Sequence, residues 1–165
     1  MTPVTPDAPG PGQESCWDYP RPPIAVSTAE HVVVELGGVV VCDTRAAVRV
    51  LETSHPPTYY LPRSDWADGA LVAAPGSSHC EYKGVAEYLS VVGGSEFAEA
   101  AAWSYPRPTQ AFEAIAGMVA VYPAAMGRIT VDGEVVTPQE GGFYGGWITS
   151  RVVGPFKGAP GTRGW

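Results

Sequence analysis

Ser78-His79-Cys80-Glu81-Tyr82-Lys83-Gly84 gathers a thiol, a carboxylate, a phenol and one of the chain's two lysines into one short run. A thiol beside a cation becomes a nucleophile when it ionises. The Lys83 ammonium would favour the Cys80 thiolate, and the Glu81 carboxylate would oppose it. His79 is adjacent in sequence but points to the other face of a strand, so a Cys–His pair needs His55 brought over by the fold. The plainer reading of Cys80 is a small buried thiol packed as a hydrophobe. Cys42, in a valine-rich run, reads as core, and Cys16, near the start of the chain, as inert.

Lys83 lies between an aromatic residue and a glycine, where its ammonium can reach an anionic or carbonyl ligand as a point charge. The plainer alternative is a surface lysine that lays its stem along apolar surface. Tyr59, Tyr60, Tyr82, Tyr88, Trp103 and Tyr105 flank it on both sides. Such rings give a pocket flat apolar walls, and their hydroxyls fix orientation; otherwise they are core residues with polar edges. Arg49 and Glu52 fall on or near one strand, on opposite faces if it is regular, so one of the two is expected to face the cavity. Outside a cavity they would form a surface ion pair worth at most about 1 kcal/mol. His55, before Pro56-Pro57, reads as a loop histidine.

These residues need a scaffold, and composition limits what it can be. The chain has 165 residues, a hydrophobic fraction of 45% and a net charge of −7, which suits one domain with a core of its own. No basic excess exists to neutralise phosphates, so neither nucleic acid nor an anionic membrane is the expected partner. Three scattered cysteines form no disulfide framework, no CxxC occurs, and no metal or cofactor is implied. The start lacks a signal-peptide pattern and no apolar run approaches a membrane span of about 20 residues, so the expected location is cytoplasmic, with reduced thiols.

Residues 1–23 hold seven of the seventeen prolines and read as a flexible, solvated tail, although the aromatics of Trp17-Asp18-Tyr19-Pro20 are able to dock on the body. Residues 24–140 read as a β-rich domain. His31–Leu36 and Val39–Asp43 form a hairpin about Gly37-Gly38, and Ile129–Val131 and Glu134–Val136 form one about Asp132-Gly133. Strands are expected near 48–53, 58–61, 84–92 and 118–122, with a short extended piece at 70–74. Glu96–Ala102 is expected to include a helical turn. Thr109 is expected to cap one short helix with Phe112, Ile115 and Ala116 on one face, ended by Gly117. Residues 141–165, with eight glycines, should be irregular and packed by Phe143, Tyr144, Trp147, Phe156 and Trp165. No βαβ alternation occurs, which argues against Rossmann and P-loop folds, and Gly154-Pro-Phe-Lys157 lacks the Walker spacing.

Leu51-Glu52-Thr53, Pro56-Pro57-x-Tyr59-Tyr60-x-Pro62, Cys80-x-Tyr82-Lys83-Gly84-x-Ala86-x-Tyr88 and Ala102-Trp103-x-Tyr105-x-x-Pro108 stand in order along the chain. With Ile115-Ala116-Gly117 and Val121-Tyr122, they resemble the bacterial domain-of-unknown-function family 427 over roughly residues 25–137. The resemblance implies a mainly β fold: a single small β-tent-like domain of antiparallel hairpins with one short helix. That architecture is shared with methionine sulfoxide reductase B and with the thalidomide-binding domain of cereblon, which has an aromatic cage. Typical tent relatives hold zinc through paired CxxC motifs, which this chain lacks, so no metal is carried over. Members of the family are sometimes labelled nucleotidyltransferase-like, but the chain has no paired carboxylate motif for magnesium. Glu81 follows Cys80 where the family more often has proline.

Three functional readings result. The first is a domain that binds a small polar metabolite, one bearing a carbonyl or anionic group, in an aromatic pocket around Lys83. The second is an enzyme using Cys80 as nucleophile or redox thiol. The third is an interaction module whose Trp147, Phe156 and Trp165 meet a partner or, in a homodimer, a second copy; it predicts an exposed apolar patch there.

Overall fold

The computed structural model describes residues 3–165, so Met1 and Thr2 of the expected tail lie outside the described residues. Strand β1 (Glu14–Ser15) leads through a 3-10 turn at Cys16–Asp18 to β2 (Ile24–Ser27). Then come β3 (Val32–Leu36) and β4 (Val39–Thr44). Gly37 and Gly38, at φ 62° and 78°, make the turn between them, a left-handed pair that residues with a Cβ rarely adopt. Alternation on β3 buries Val32, Val34 and Leu36 and leaves Val33 and Glu35 half-exposed, as a sheet with one covered face requires.

The chain continues through β5 (Val48–Leu51) and β6 (Thr58–Tyr60) to the long strands β7 (Leu71–Cys80), β8 (Gly84–Gly93) and β9 (Glu96–Ser104). Next are β10 (Val119–Val121), β11 (Arg128–Val131) and β12 (Glu134–Val135), and finally β13 (Thr137–Pro138), β14 (Trp147–Ile148) and β15 (Val152–Val153). One four-stranded sheet has the order β10-β9-β8-β7, a second β12-β11-β3-β4, and a three-stranded sheet β2-β5-β6. All pairings within these three are antiparallel. The protein is therefore a mainly β, single small domain. Among the described residues no helix is long and apolar enough to cross a membrane.

The main core lies between the four-stranded sheets, where Val34, Val41, Val91, Ala102, Val121, Ile129 and Trp147 meet. A second cluster of Val48, Val50, Tyr60, Ala86, Tyr105, Phe112, Ile115 and Ala120 joins the three-stranded sheet to β8, β10 and the segment after β9. This second cluster packs beneath the candidate site described below.

Several expectations need correction. Glu96–Ala102 is strand, because it pairs along β8, with Leu89 opposite Ala102 and Val92 opposite Phe97; a long-range ladder outweighs the helical bias of its alanines. The short extended piece at 70–74 runs on to Cys80, with an irregularity in its pairing between Ala73 and Ser77, around Pro75-Gly76. The helix after Thr109 is a 3-10 segment, Gln110–Ile115, broken at Phe112 (φ −116°, ψ 21°). Thr109 does not cap it; its hydroxyl donates to the Tyr82 carbonyl at 2.6 Å.

The proline-rich start is docked rather than solvated over residues 14–19. β1 pairs in parallel with β15, Cys16 is 0% exposed and Tyr19 is buried. Proline forbids a regular ladder but not side-chain docking. Trp17 Nε1 donates to the Pro155 carbonyl at 2.9 Å, and the Trp17 and Trp165 rings lie 5.6 Å apart. The C-terminal aromatics named for an interaction patch pack on the chain itself: Trp147 is buried, and Phe156 packs against the Cys16–Tyr19 cluster.

Candidate functional site

Adjacent residues of a strand face opposite ways, and β6 uses this to separate two environments. Tyr60 turns toward β8 and β9, and Tyr59 turns away. Trp103 of β9 donates its indole N–H to Tyr60 Oη at 3.1 Å. Tyr122, just after β10, meets the Trp103 ring at 4.6 Å. The Tyr105 ring stands 6.3 Å from that of Tyr60. These rings wall a cleft of about 600 Å³.

The β7–β8 turn carries the polar side of this cleft. Cys80 pairs with Gly84 across it. The segment after Tyr105 braces the turn from behind, since Thr109 N–H donates to the Lys83 carbonyl at 3.0 Å. Lys83 thus projects with its Nζ 6.0 Å from the centre of the Tyr105 ring and 5.7 Å from that of Phe112, within cation–π range. Its ammonium donates to Cys80 Sγ at 3.6 Å.

Of the residues expected at the site, Glu52, Tyr60, Cys80, Tyr82, Lys83, Trp103 and Tyr105 line this one cleft, with Tyr88. Arg49 and Tyr59 do not, and this corrects their placement. They are register partners on β5 and β6 and share the opposite face. Tyr59 stacks on Trp147 at 4.7 Å and 18°, and its hydroxyl donates to Glu30 at 2.9 Å. Arg49 is ion-paired with Glu14, and its Nε lies 3.9 Å from Glu30. Burial, the largest single influence, pulls the Arg49 guanidinium down, but the hydrogen bond to Glu14 together with the charges of Glu14, Tyr59 and Tyr19 holds it above its ordinary value.

Gln139, Tyr144 and Lys157 were not anticipated at the site, and His55, read chiefly as a loop histidine, joins them. Their signals were faint, because they sit in segments without periodicity. The one usable clue was lysine scarcity, for Lys157 is the chain's other lysine. Lys157 N–H donates to the Ser54 carbonyl at 2.9 Å, which fixes the C-terminal segment against the loop bearing His55. Gln139 Nε2 lies 3.1 Å from His55 Nδ1, and Glu52 Oε2 lies 3.8 Å from His55 Nε2. Burial lowers the His55 pKa to about 4; Glu52 pulls it up, while the Lys157, Arg21 and Lys83 charges push it further down. His55 is therefore neutral at pH 7.

Burial raises the phenols of Tyr60 and Tyr105 above their ordinary value, so both remain protonated donors. Cys16 and Cys42 are likewise pushed up to about 12 by burial, so neither is a reactive thiol, whereas Cys80 is half-exposed on the cleft. Among the described residues no group of three or more His, Cys, Asp or Glu side chains is placed to hold a metal ion.

Fold and site together define a small antiparallel β domain with an aromatic-walled cleft at the seam of two sheets. The chain belongs to the family described as a domain of unknown function, DUF427, whose sequence profile matches residues 24–136. No curated protein matches the chain closely enough to count as a relative. Gln139, Tyr144 and Lys157 lie beyond the matched residues.

Proposed function

We propose that the cleft binds a small polar metabolite that carries a carbonyl or anionic group on a flat body. One observation carries this reading: Tyr60, Lys83 and Trp103, on three different segments of the chain, line a single cleft. A pocket of a few hundred cubic ångströms with apolar walls and a few convergent polar groups is the usual form of a small-molecule site. The cation supplies attraction, the rings supply apolar area, and the protonated phenols supply donors.

A thermal-shift screen of metabolites against the wild type and Lys83→Ala tests the proposal. A true ligand raises the melting temperature of the wild type and loses most of that effect in the variant. A ligand that stabilises both equally binds elsewhere, and a screen in which every hit behaves so removes the reading.

The approach of Lys83 Nζ to Cys80 Sγ supports a second reading, in which Cys80 reacts with a substrate held in the same cleft. It requires a sulfur that reagents reach in the folded protein.

A further inference from the structure

We infer that the segment beyond the family-matched residues completes an oxyanion-binding corner in this cleft, where Lys157 and the His55 ring N–H join Lys83 to grip a carboxylate or phosphate borne on a flat apolar body. The inference rests on the cleft reading above and names the ligand class for it.

The chain carries only two lysines in 165 residues, against 17 acidic residues. Both line this cleft. Among the described residues no Asp or Glu carboxylate stands within ion-pair distance of either ammonium. Lys157 is nonetheless held in place. Its Nζ donates to a main-chain oxygen of Trp165, the last residue of the sequence, at 3.2 Å and stands 5.8 Å from the centre of the Tyr144 ring. An ammonium has three protons, so Lys157 keeps donors for a ligand.

The His55 tautomer follows from Gln139. The Gln139 Oε1 accepts from Gly146 N–H at 3.1 Å, and its Nε2 donates to the Lys157 carbonyl at 2.7 Å. A backbone donor on one side and a backbone acceptor on the other fix the amide's orientation. The remaining Nε2 proton must then point to His55 Nδ1, which accepts. The neutral ring therefore carries its proton on Nε2. Glu52 Oε2, at 3.8 Å, is too far to take that proton in a hydrogen bond, and Glu52 also faces Arg21 Nε at 3.4 Å.

The cleft thus offers two ammoniums and one N–H beside flat rings, with the Glu52 and Glu81 carboxylates also on its lining. Charged donors recognise an oxyanion more strongly than a neutral carbonyl. Tyr60, Trp103 and Tyr105 supply faces for a planar body.

Isothermal titration calorimetry with 2-naphthoate, 2-naphthyl phosphate and the neutral 2-naphthamide tests this, on wild type, Lys83→Gln, Lys157→Gln and Lys157→Arg. The expected result is that at least one anion binds the wild type about tenfold more tightly than the amide. Lys157→Gln should lose that margin and leave amide affinity unchanged, while Lys157→Arg retains it. The preferred anion separates a carboxylate site from a phosphate site. On the wild type itself, ¹⁵N spectra of the His55 ring should show the proton on Nε2, and the preferred anion should shift that nitrogen.

Equal binding of anions and amide would overturn the inference, as would no binding of any probe, or a proton on Nδ1. Unchanged anion affinity in Lys157→Gln, with loss in Lys83→Gln, would overturn it and leave the cleft reading standing. Unchanged affinity in both variants would remove the cleft reading as well.

Discussion

The Trp103 indole N–H donates to Tyr60 Oη at 3.1 Å, and the two rings meet edge to face at 89° with centroids 6.4 Å apart. This contact joins β9 of one sheet to β6 of another at the back of the cleft. Tyr60 is 1% exposed, so water cannot substitute for it from that side. Tyr60→Phe removes the acceptor and keeps the ring. It should destabilise the protein by about 1–2 kcal/mol in urea unfolding, as expected for a donor left without its partner. It should also weaken whatever ligand the cleft takes, because the Trp103 wall loses its fixed orientation. A variant as stable as the wild type would mean that the indole N–H finds water in the cleft.

His55 links stability to pH. Its side chain is 16% exposed and its pKa is lowered to about 4, chiefly by burial. In the unfolded chain a histidine takes its proton near 6.5. Between these values the unfolded state binds the extra proton, so stability rises with pH there. The contribution is fully present above about pH 6.5 and is lost as pH falls toward 4, with a slope of at most about 1.4 kcal/mol per pH unit. His55→Asn keeps an acceptor for Gln139 and removes the titration. Its stability, measured by urea unfolding across that window, should vary less steeply with pH than the wild type's. Parallel profiles would show that His55 titrates normally in the folded state.

The three thiols should separate cleanly under alkylation of the native protein. Cys16 and Cys42 are 0% and 1% exposed, and burial pushes both up to about 12. Cys80 is half-exposed and lines the cleft. Iodoacetamide followed by mass spectrometry should therefore modify Cys80 first, with the other two reacting only on unfolding. If Cys80 stays unmodified while the protein is folded, the reading that gives it a chemical role is lost.

Much of this fold is visible in local patterns. The alternation of Val32, Val34 and Leu36 and the turns at Gly37-Gly38 and Asp132-Gly133 are set by nearest neighbours, so sequence reading finds them. The long β9 is not visible, because Glu96–Ala102 owes its strand to partners on β8 and not to its own propensities. For the site, both Tyr59 and Tyr60 were expected at the pocket, although neighbours on a strand face opposite ways and nothing local says which one meets Lys83. That choice is made by a distant residue, Trp147, which stacks on Tyr59. Arg49 follows Tyr59 because β5 and β6 pair them. Lys157 and Gln139 were invisible for a different reason. A glycine-rich segment has no period, and its path is fixed by backbone hydrogen bonds such as that from Lys157 N–H to the Ser54 carbonyl.

Gly145 shows how closely that segment approaches the cleft wall. A Cβ built there would overlap Trp103 Cη2 and lie 3.2 Å from Cζ2, so the backbone passes the indole edge with no room for a methyl group. Gly145→Ala must move either the indole or the segment that carries Gln139 and Lys157. Forcing a methyl into packed surroundings typically costs about 1–3 kcal/mol, and urea unfolding should show a loss in that range. The effect on binding should exceed what the stability loss explains, because Trp103, Tyr144 and Lys157 all line the one cleft. Calorimetry at a temperature where the variant is fully folded separates the two effects. A folded Gly145→Ala with wild-type affinity for the cleft's ligand would mean that the C-terminal segment covers the cleft without shaping it.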